Sequence, residues 1–510
     1  MEIELKMQID SRYVKTFRNH PLLKKYALSV PYDQKMSDTY FDTPDLDIQR
    51  SNAGLRVRRV NRKWVQTLKY GGGVNGGLHS RHEWETTIAA PVPNLPELHN
   101  MVGHKAILSK LLRSTDINQR LSPIFTSRVT RSIWKLRLPQ GDEVECVLDL
   151  GKIECNNQEV RISEIEIELK SGDPVHLFDF ALALLQDVPL QIGTLSKADR
   201  GYALYALPSS IAVKAIPIRL SKQMTLEQAF QQIASNCMAQ IQGNASCLAR
   251  NDEPESVHQM RVGLRRLDTV LDLFKKLLQP PAEMLQELDW LAAQLGAARD
   301  WDVLAGSTLP AIADLMPEEI RLIQLTQAAV DAAHERHKAA AAAVCSPRFT
   351  RLILSFTRWV LGCDWRDTQS SQNQRRFNDR MTRFSGDMLE HQHNRLLKRG
   401  KKLKVTSPAV RHRVRIAAKT TRYTTEFFQS IFPRKKVRPF VAALSALQEE
   451  LGLLNDKATA LDLLRELRDQ HIYLEESANF LCGYLICPID NDNKKIRMLW
   501  KTFKAIKFRS

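Results

Sequence analysis

Through the first 207 residues, apolar and polar positions alternate with a period of two. Such runs cover Glu2–Lys6, Gly54–Arg59, Trp64–Lys69, Arg81–Ile88, Arg131–Leu138, Val144–Leu150 and Glu164–Lys170. Alternation of this kind predicts half-buried β-strands, because successive side chains of a strand point to opposite faces. The turn-forming stretches Gly71-Gly72-Gly73 and Pro139-Gln140-Gly141-Asp142 suit hairpins between them. Two helical patterns interrupt, near residues 11–27 and 174–187. After Leu207 comes a joint, PSSIAVKAIPIRLSK. From Thr225 onward apolar residues recur three and four apart over long stretches free of Gly and Pro, which predicts helices. The expected chain is α+β: an antiparallel β domain over 1–207, a linker at 208–220 and an all-α domain over 221–510.

The helical part repeats itself. VHQMRVGLRR (257–266) resembles RHRVRIAAKT (411–420), pairing His258 with His412, Arg261 with Arg415 and Arg265 with Lys419. Each phrase is followed some forty residues later by a second matched pair, LGAARDWD (295–302) and LGLLNDKA (451–458). Two matched phrases at matched spacing predict a duplicated bundle. Residues 258, 261 and 265, and again 412, 415 and 419, fall on one helical face.

The strands carry an unusual polar face. MEIELK sets Glu2, Glu4 and Lys6 on one side, and EIEIELK sets Glu164, Glu166 and Glu168 on one side. GLRVRR aligns Arg56 with Arg58, RHEWE aligns Arg81, Glu83 and Glu85, and VECVLDLG aligns Glu145 with Asp149. Arg131, Lys135 and Arg137 share a face further on. Charges of one sign in blocks repel unless something neutralises them. A closed barrel with this face inward would make a polar tunnel that needs water, metal and a charged ligand. Paired carboxylates suit Mg²⁺ or Mn²⁺, and Arg and Lys clamp phosphate oxygens. Together they point to phosphoryl transfer to water. Neither His nor Ser with a matched base stands in these strands, which disfavours a covalent intermediate.

Charge sharpens the division. The chain carries a net charge of +17, of which residues 1–207 contribute +3 (28 basic, 25 acidic) and the remainder +14 (46 basic, 32 acidic). Residues 375–422 alone hold 15 basic and 3 acidic side chains. The helical domain is therefore expected to meet a polyanion. The eight cysteines show neither CxxC nor metal-type spacing, so reduced thiols and a cytoplasmic location are expected. No signal-peptide layout is present, and the longest apolar run, Leu352–Gly362, is cut by Arg358, so no membrane span is expected.

Nine pieces in order resemble the CYTH superfamily, the triphosphate tunnel metalloenzymes: MEIELK, YFDT (40–43), GLRVRR, TLK, RHEWE, TRSIW, VLDLG, EIEIELK and SKADRGY (196–202). The helical part resembles a CHAD domain, and the two together resemble bacterial CYTH–CHAD inorganic triphosphatases. The resemblance implies Mg²⁺-dependent hydrolysis of tripolyphosphate to phosphate and pyrophosphate, with long-chain polyphosphate bound by the helical domain. It implies metal binding by Glu2, Glu4, Asp149, Glu166 and Glu168, with Glu164 as a rival for a place in the second phrase. Lys6, Arg56, Arg58, Lys69, Arg81, Arg131 and Lys197 match phosphate-contacting bases. Glu4, Asp149, Glu168 and Lys6 match the catalytic set. His258, Arg261, Arg265, His412, Arg415 and Lys419 match the polyphosphate groove, where Asp268 replaces a usual base. ATP cyclisation, thiamine triphosphate hydrolysis and non-catalytic polyanion binding are the rival readings. Nucleic acid is not the expected partner, and oligomeric state is not legible.

Overall fold

Strand β1 (Glu2–Ile9) alternates inward acids and base with outward Leu5 and Met7, both fully buried. The structure is a computed structural model describing residues 2–60, 62–103, 106–206, 212–250, 253–316, 319–367, 370–404, 408–486 and 490–506. Residues 208–211 of the expected linker, Leu207 before them and Cys487 lie outside the described residues. The chain divides into two compact units, one of residues 1–211 with Ser346–Gly362, the other of 212–345 with 363–510.

In the first unit β2 (Tyr32–Asp42), β3 (Ala53–Val60), β4 (Lys63–Asn75), β5 (Leu78–Ile88), β6 (Ser122–Arg137), β7 (Glu143–Cys155) and β8 (Gln158–Ser171) join β1. Their order is β5-β4-β3-β2-β6-β7-β8-β1, and β5 pairs again with β1, closing an antiparallel ring of eight. A short β9 (Leu190–Ile192) extends the far end of β1. The outward Leu5, Met7, Ile165 and Ile167 pack against Leu177 and Phe178 of the helix Val175–Leu184, as the alternation requires. Leu354, from the helix Pro347–Gly362, is buried in the same core, so a segment expected in the helical domain belongs to this unit.

Two expectations change and a third is sharpened. Strand β2 has no apolar alternation to announce it, since its buried positions include Asp38 and Asp42. Helices Leu95–Val102, Ala106–Arg113 and Thr115–Arg120 fill the span between β5 and β6. The glycine-rich stretch 71–77 makes the hairpin between Lys69 and Arg81, with its reversal at the far end: β4 runs on to Asn75, with a register shift between Tyr70 and Gly73, and the chain turns at Gly76 and Gly77, both at positive φ.

The second unit is helical. The His258 helix (Pro254–Phe274) packs on Leu226–Leu248 and on Ala282–Val303. The His412 helix (Pro408–Phe428) packs in the same way on Met381–Gly400 and on Arg434–Gln470. Cys146, Cys155, Cys237 and Cys247 are buried thiols. Among the described residues no helix is long and apolar enough to cross a membrane.

Candidate active site

The strand ring encloses a cavity of about 840 Å³, open solvent at its edge included. Glu2, Glu4, Lys6, Arg56, Arg58, Lys69, Arg81, Arg131, Glu166, Glu168 and Lys197 all line it. Alternation explains the convergence on β1 and β8, where Glu2, Glu4 and Lys6 lie opposite buried Leu5 and Met7, and Glu166 and Glu168 opposite buried Ile165 and Ile167. Asp149 lies just behind the lining, fully buried, on the Arg131 guanidinium at 2.8 and 2.6 Å. Glu164 sits deeper than Glu166 along β8, held by Arg200 at 3.2 Å. Lys135 and Arg137, expected on the same face as Arg131, are exposed, and Arg137 pairs with Glu143 at 2.7 Å. Glu85 is exposed and accepts a bond from Thr67.

Acids and bases alternate around the wall rather than standing apart. Lys6 Nζ lies 2.9 Å from Glu4 and also contacts Glu166. Burial opposes its charge, but Glu166 and Glu4 outweigh burial and hold the ammonium above the ordinary lysine range. Glu166 is held well below the usual carboxylate range: burial opposes, while Lys197, Lys6 and Arg131 prevail. Lys69 joins Glu2 at 2.6 Å to Glu83 at 3.3 Å. Glu168 behaves differently. Burial raises its pKa, and the facing acids Glu2 and Glu145 raise it further, against Lys170.

Two residues escaped the sequence reading. Asp38, on β2, is buried and receives Arg58 through two bonds of 2.6 and 2.8 Å. Burial pushes Asp38 up, yet Arg56 and Arg58 pull its pKa down to about 2. Its one signal was the polar residue three positions before FDT. His79 stands opposite Glu4 on β5, buried, with Nε2–H donating to the Gly193 carbonyl at 3.0 Å. Burial and then Lys6 lower its pKa to about 4, so it is a neutral prop under β1.

The donor set suits a hard divalent cation. Oxygens of Asp149, Glu164 and Glu166 lie within 4.8 Å of one another, and carboxylate oxygen is what Mg²⁺ and Mn²⁺ prefer.

In the helical unit the two repeats bring their bases together. Arg261 Nη1 donates to the Gly296 carbonyl at 2.7 Å and to Asp300 at 3.0 Å. His412 lies 3.3 Å from Asn455. Burial, then Arg265, Arg415 and Arg261, push Lys419 down to about 6. Arg415 is likewise lowered, by burial and by Arg265 and Arg261, with Asp456 opposing. Burial and Arg299 lower the His258 pKa. The Nε atoms of Arg265 and Arg415 are buried without a partner. His391 is exposed, whereas His393 packs edge-on against Phe440 and Phe503.

An eight-stranded ring with an ionic lumen, followed by a duplicated helical unit, defines a two-domain class. Residues 1–202 match the CYTH domain model and residues 232–465 the CHAD domain model. The chain therefore carries a CYTH domain followed by a CHAD domain. It is 34% identical over 204 residues to an inorganic triphosphatase of Haemophilus influenzae, which covers 40% of this chain and 54% of that protein. The chain thus matches about half the length of this curated relative. It is 35% identical to the crystal structure of a CHAD domain from the plant Ricinus communis, with a TM-score of 0.53, covering 58% of this chain and 98% of that one.

Proposed function

We propose that this protein hydrolyses inorganic tripolyphosphate in the strand ring, with a divalent metal, and binds long-chain polyphosphate on its helical unit. The observation that carries the first part is the lumen itself, where seven bases and their carboxylate partners line one cavity. Lys6, Arg56, Arg58, Lys69, Arg81, Arg131 and Lys197 would grip phosphate oxygens, the arginines through bidentate forks. Glu2, Glu4, Glu168, Glu166 and Asp149 would hold Mg²⁺ or Mn²⁺, which when bound would neutralise developing phosphate charge. Glu4 and Glu168 stand directly opposite on paired strands, a register that supports a shared role in orienting a water. The match to an inorganic triphosphatase supports the same reading.

Of the described lining residues Tyr40 alone is aromatic, and its ring is stacked on Phe125 at 4.5 Å. The lumen thus offers no free shelf for a nucleobase or a thiamine ring, which favours an inorganic substrate over cyclase chemistry. On the helical unit, the convergence of Arg261, Arg265, Arg415 and Lys419 without enough counter-charge supports a polyanion ligand.

Phosphate release from tripolyphosphate by the purified protein tests the first part. Mg²⁺-dependent release, abolished by Glu4→Ala, is expected. Release that persists without divalent metal, or full activity in Glu4→Ala, would refute it.

A further inference from the structure

The helix Pro347–Gly362 lies within the residues matched by the CHAD domain model, yet it belongs to the unit of the strand ring. Leu354 is fully buried in the core that backs β1 and β8. Arg358 pairs with Asp179 at 2.9 Å, and Arg351 Nη2 donates to the Leu185 carbonyl at 3.4 Å. The helix also packs on β9. It is thus fixed to the ring at several separate points.

From this fixed helix the buried Thr357 reaches the β4–β5 turn. A Cβ built on Gly76 would fall 2.3 Å from the Thr357 hydroxyl and 2.6 Å from its methyl, so the turn has no room to move back. The hydroxyl is buried and has no hydrogen-bond partner among the described residues, so Thr357 acts here by its shape. On its other side the turn lies on β1: a Cβ on Gly77 would stand 3.0 Å from Ile192 and 3.3 Å from Leu5.

The turn holds the main chain of Lys6. Lys6 N–H donates to the Gly77 carbonyl at 3.0 Å, and the Lys6 carbonyl accepts from Gly193 N–H at 2.9 Å. The Gly193 carbonyl in turn accepts from His79 Nε2–H at 3.0 Å. The β1–β5 seam that closes the ring runs from Glu2 opposite Arg81 to Leu5 opposite Leu78. Gly77 adds the next rung, at the residue whose ammonium meets Glu4 and Glu166. Two consecutive glycines leave a turn many alternative conformations, so this rung is a weak restraint by itself. The threonine behind it removes those alternatives.

We propose that Thr357 is a positioning residue for the reaction in the strand ring: it wedges Gly76 and Gly77 against β1 and thereby fixes Lys6 between Glu4 and Glu166. The inference rests on the hydrolytic reading above, in which Lys6 grips phosphate. Sequence from the middle of the CHAD region then sets the geometry of the CYTH lumen.

Two measurements on the full chain test this: amide hydrogen exchange read by mass spectrometry, and steady-state hydrolysis of tripolyphosphate with Mg²⁺. Thr357→Ala removes the wedge and leaves a good helix former. It should speed exchange about tenfold in peptides covering β1 and the β4–β5 turn, leave β6 and β7 unchanged, and lower kcat/KM about tenfold. Thr357→Val keeps the shape and loses a hydroxyl without a partner, so it should hold both readouts within about twofold of the unaltered chain. Unchanged exchange in Thr357→Ala, exchange raised evenly through the ring, or unchanged kcat/KM beside a loosened β1 would overturn the proposal, as would a Thr357→Val as impaired as Thr357→Ala. Absence of tripolyphosphate hydrolysis in the unaltered chain would instead remove the reading beneath it, while exchange still reports whether Thr357 holds β1.

Discussion

Asp38 shows how a lumen full of bases is kept in order. It accepts from Arg58 in a fork and from Arg56 at 3.4 Å, so both guanidinium groups are aimed before any ligand arrives. Asp38→Asn keeps the shape and removes the charge. Its expected effect is a rise in KM for tripolyphosphate of about tenfold, near 1.4 kcal/mol, with a smaller change in kcat. Steady-state kinetics checks this, and an unchanged KM would deny Asp38 its aiming role. Lys419 makes a pH prediction. Its folded-state pKa of about 6 lies below the roughly 10.4 of an unfolded chain. Between those values the unfolded chain holds a proton that the native one lacks, so stability from this group rises with pH across that window. A bound polyanion reverses the preference and favours the charged amine. Polyphosphate binding near pH 8 should therefore take up a proton, readable by calorimetry in buffers of different ionisation enthalpy, and the uptake should vanish in Lys419→Met.

At the scale of elements, the inward charges of β1, β3 and β8 were legible because each strand alternates cleanly between an ionic and an aliphatic residue. Strand β2 was not, because Asp38 and Asp42 stand where such a reading looks for apolar residues, and their partners Arg58 and Tyr202 come from distant positions. The role of the helix Pro347–Gly362 was equally hidden. Its apolar periodicity announced a helix but not which core it would enter. Leu354 is fully buried in the core beneath β1 and β8, and Arg358 pairs with Asp179 at 2.9 Å. Leu354→Ala should lower the stability of the CYTH unit by about 2–4 kcal/mol. Heat inactivation of catalysis should then come earlier, and unchanged inactivation would refute this packing role. The same helix brings Thr357 against the β4–β5 turn, where a Cβ on Gly76 would fall 2.3 Å from its hydroxyl. Gly76→Val should disturb the turn that joins the strand of Lys69 to the strand of Arg81.

Over the whole molecule, the basic excess sits in the part that repeats itself, and both copies place a base against an acid of the second phrase: Arg261 with Asp300, and Arg415 within the field of Asp456. Binding dominated by phosphate contacts weakens steeply with salt. Arg415→Ala should reduce the slope of log affinity for polyphosphate against log salt by about one, whatever the chain length. A slope left intact would place the ligand elsewhere. The excursion of Ser346–Gly362 into the first unit has a consequence for synthesis. The strands end before residue 207, yet the core that backs them is incomplete until residue 362 has emerged, 155 residues later. At about 5–20 residues per second a ribosome takes roughly 8–30 s to cover that distance. For that interval the nascent ring waits with part of its apolar back uncovered, in need of a chaperone or of patience.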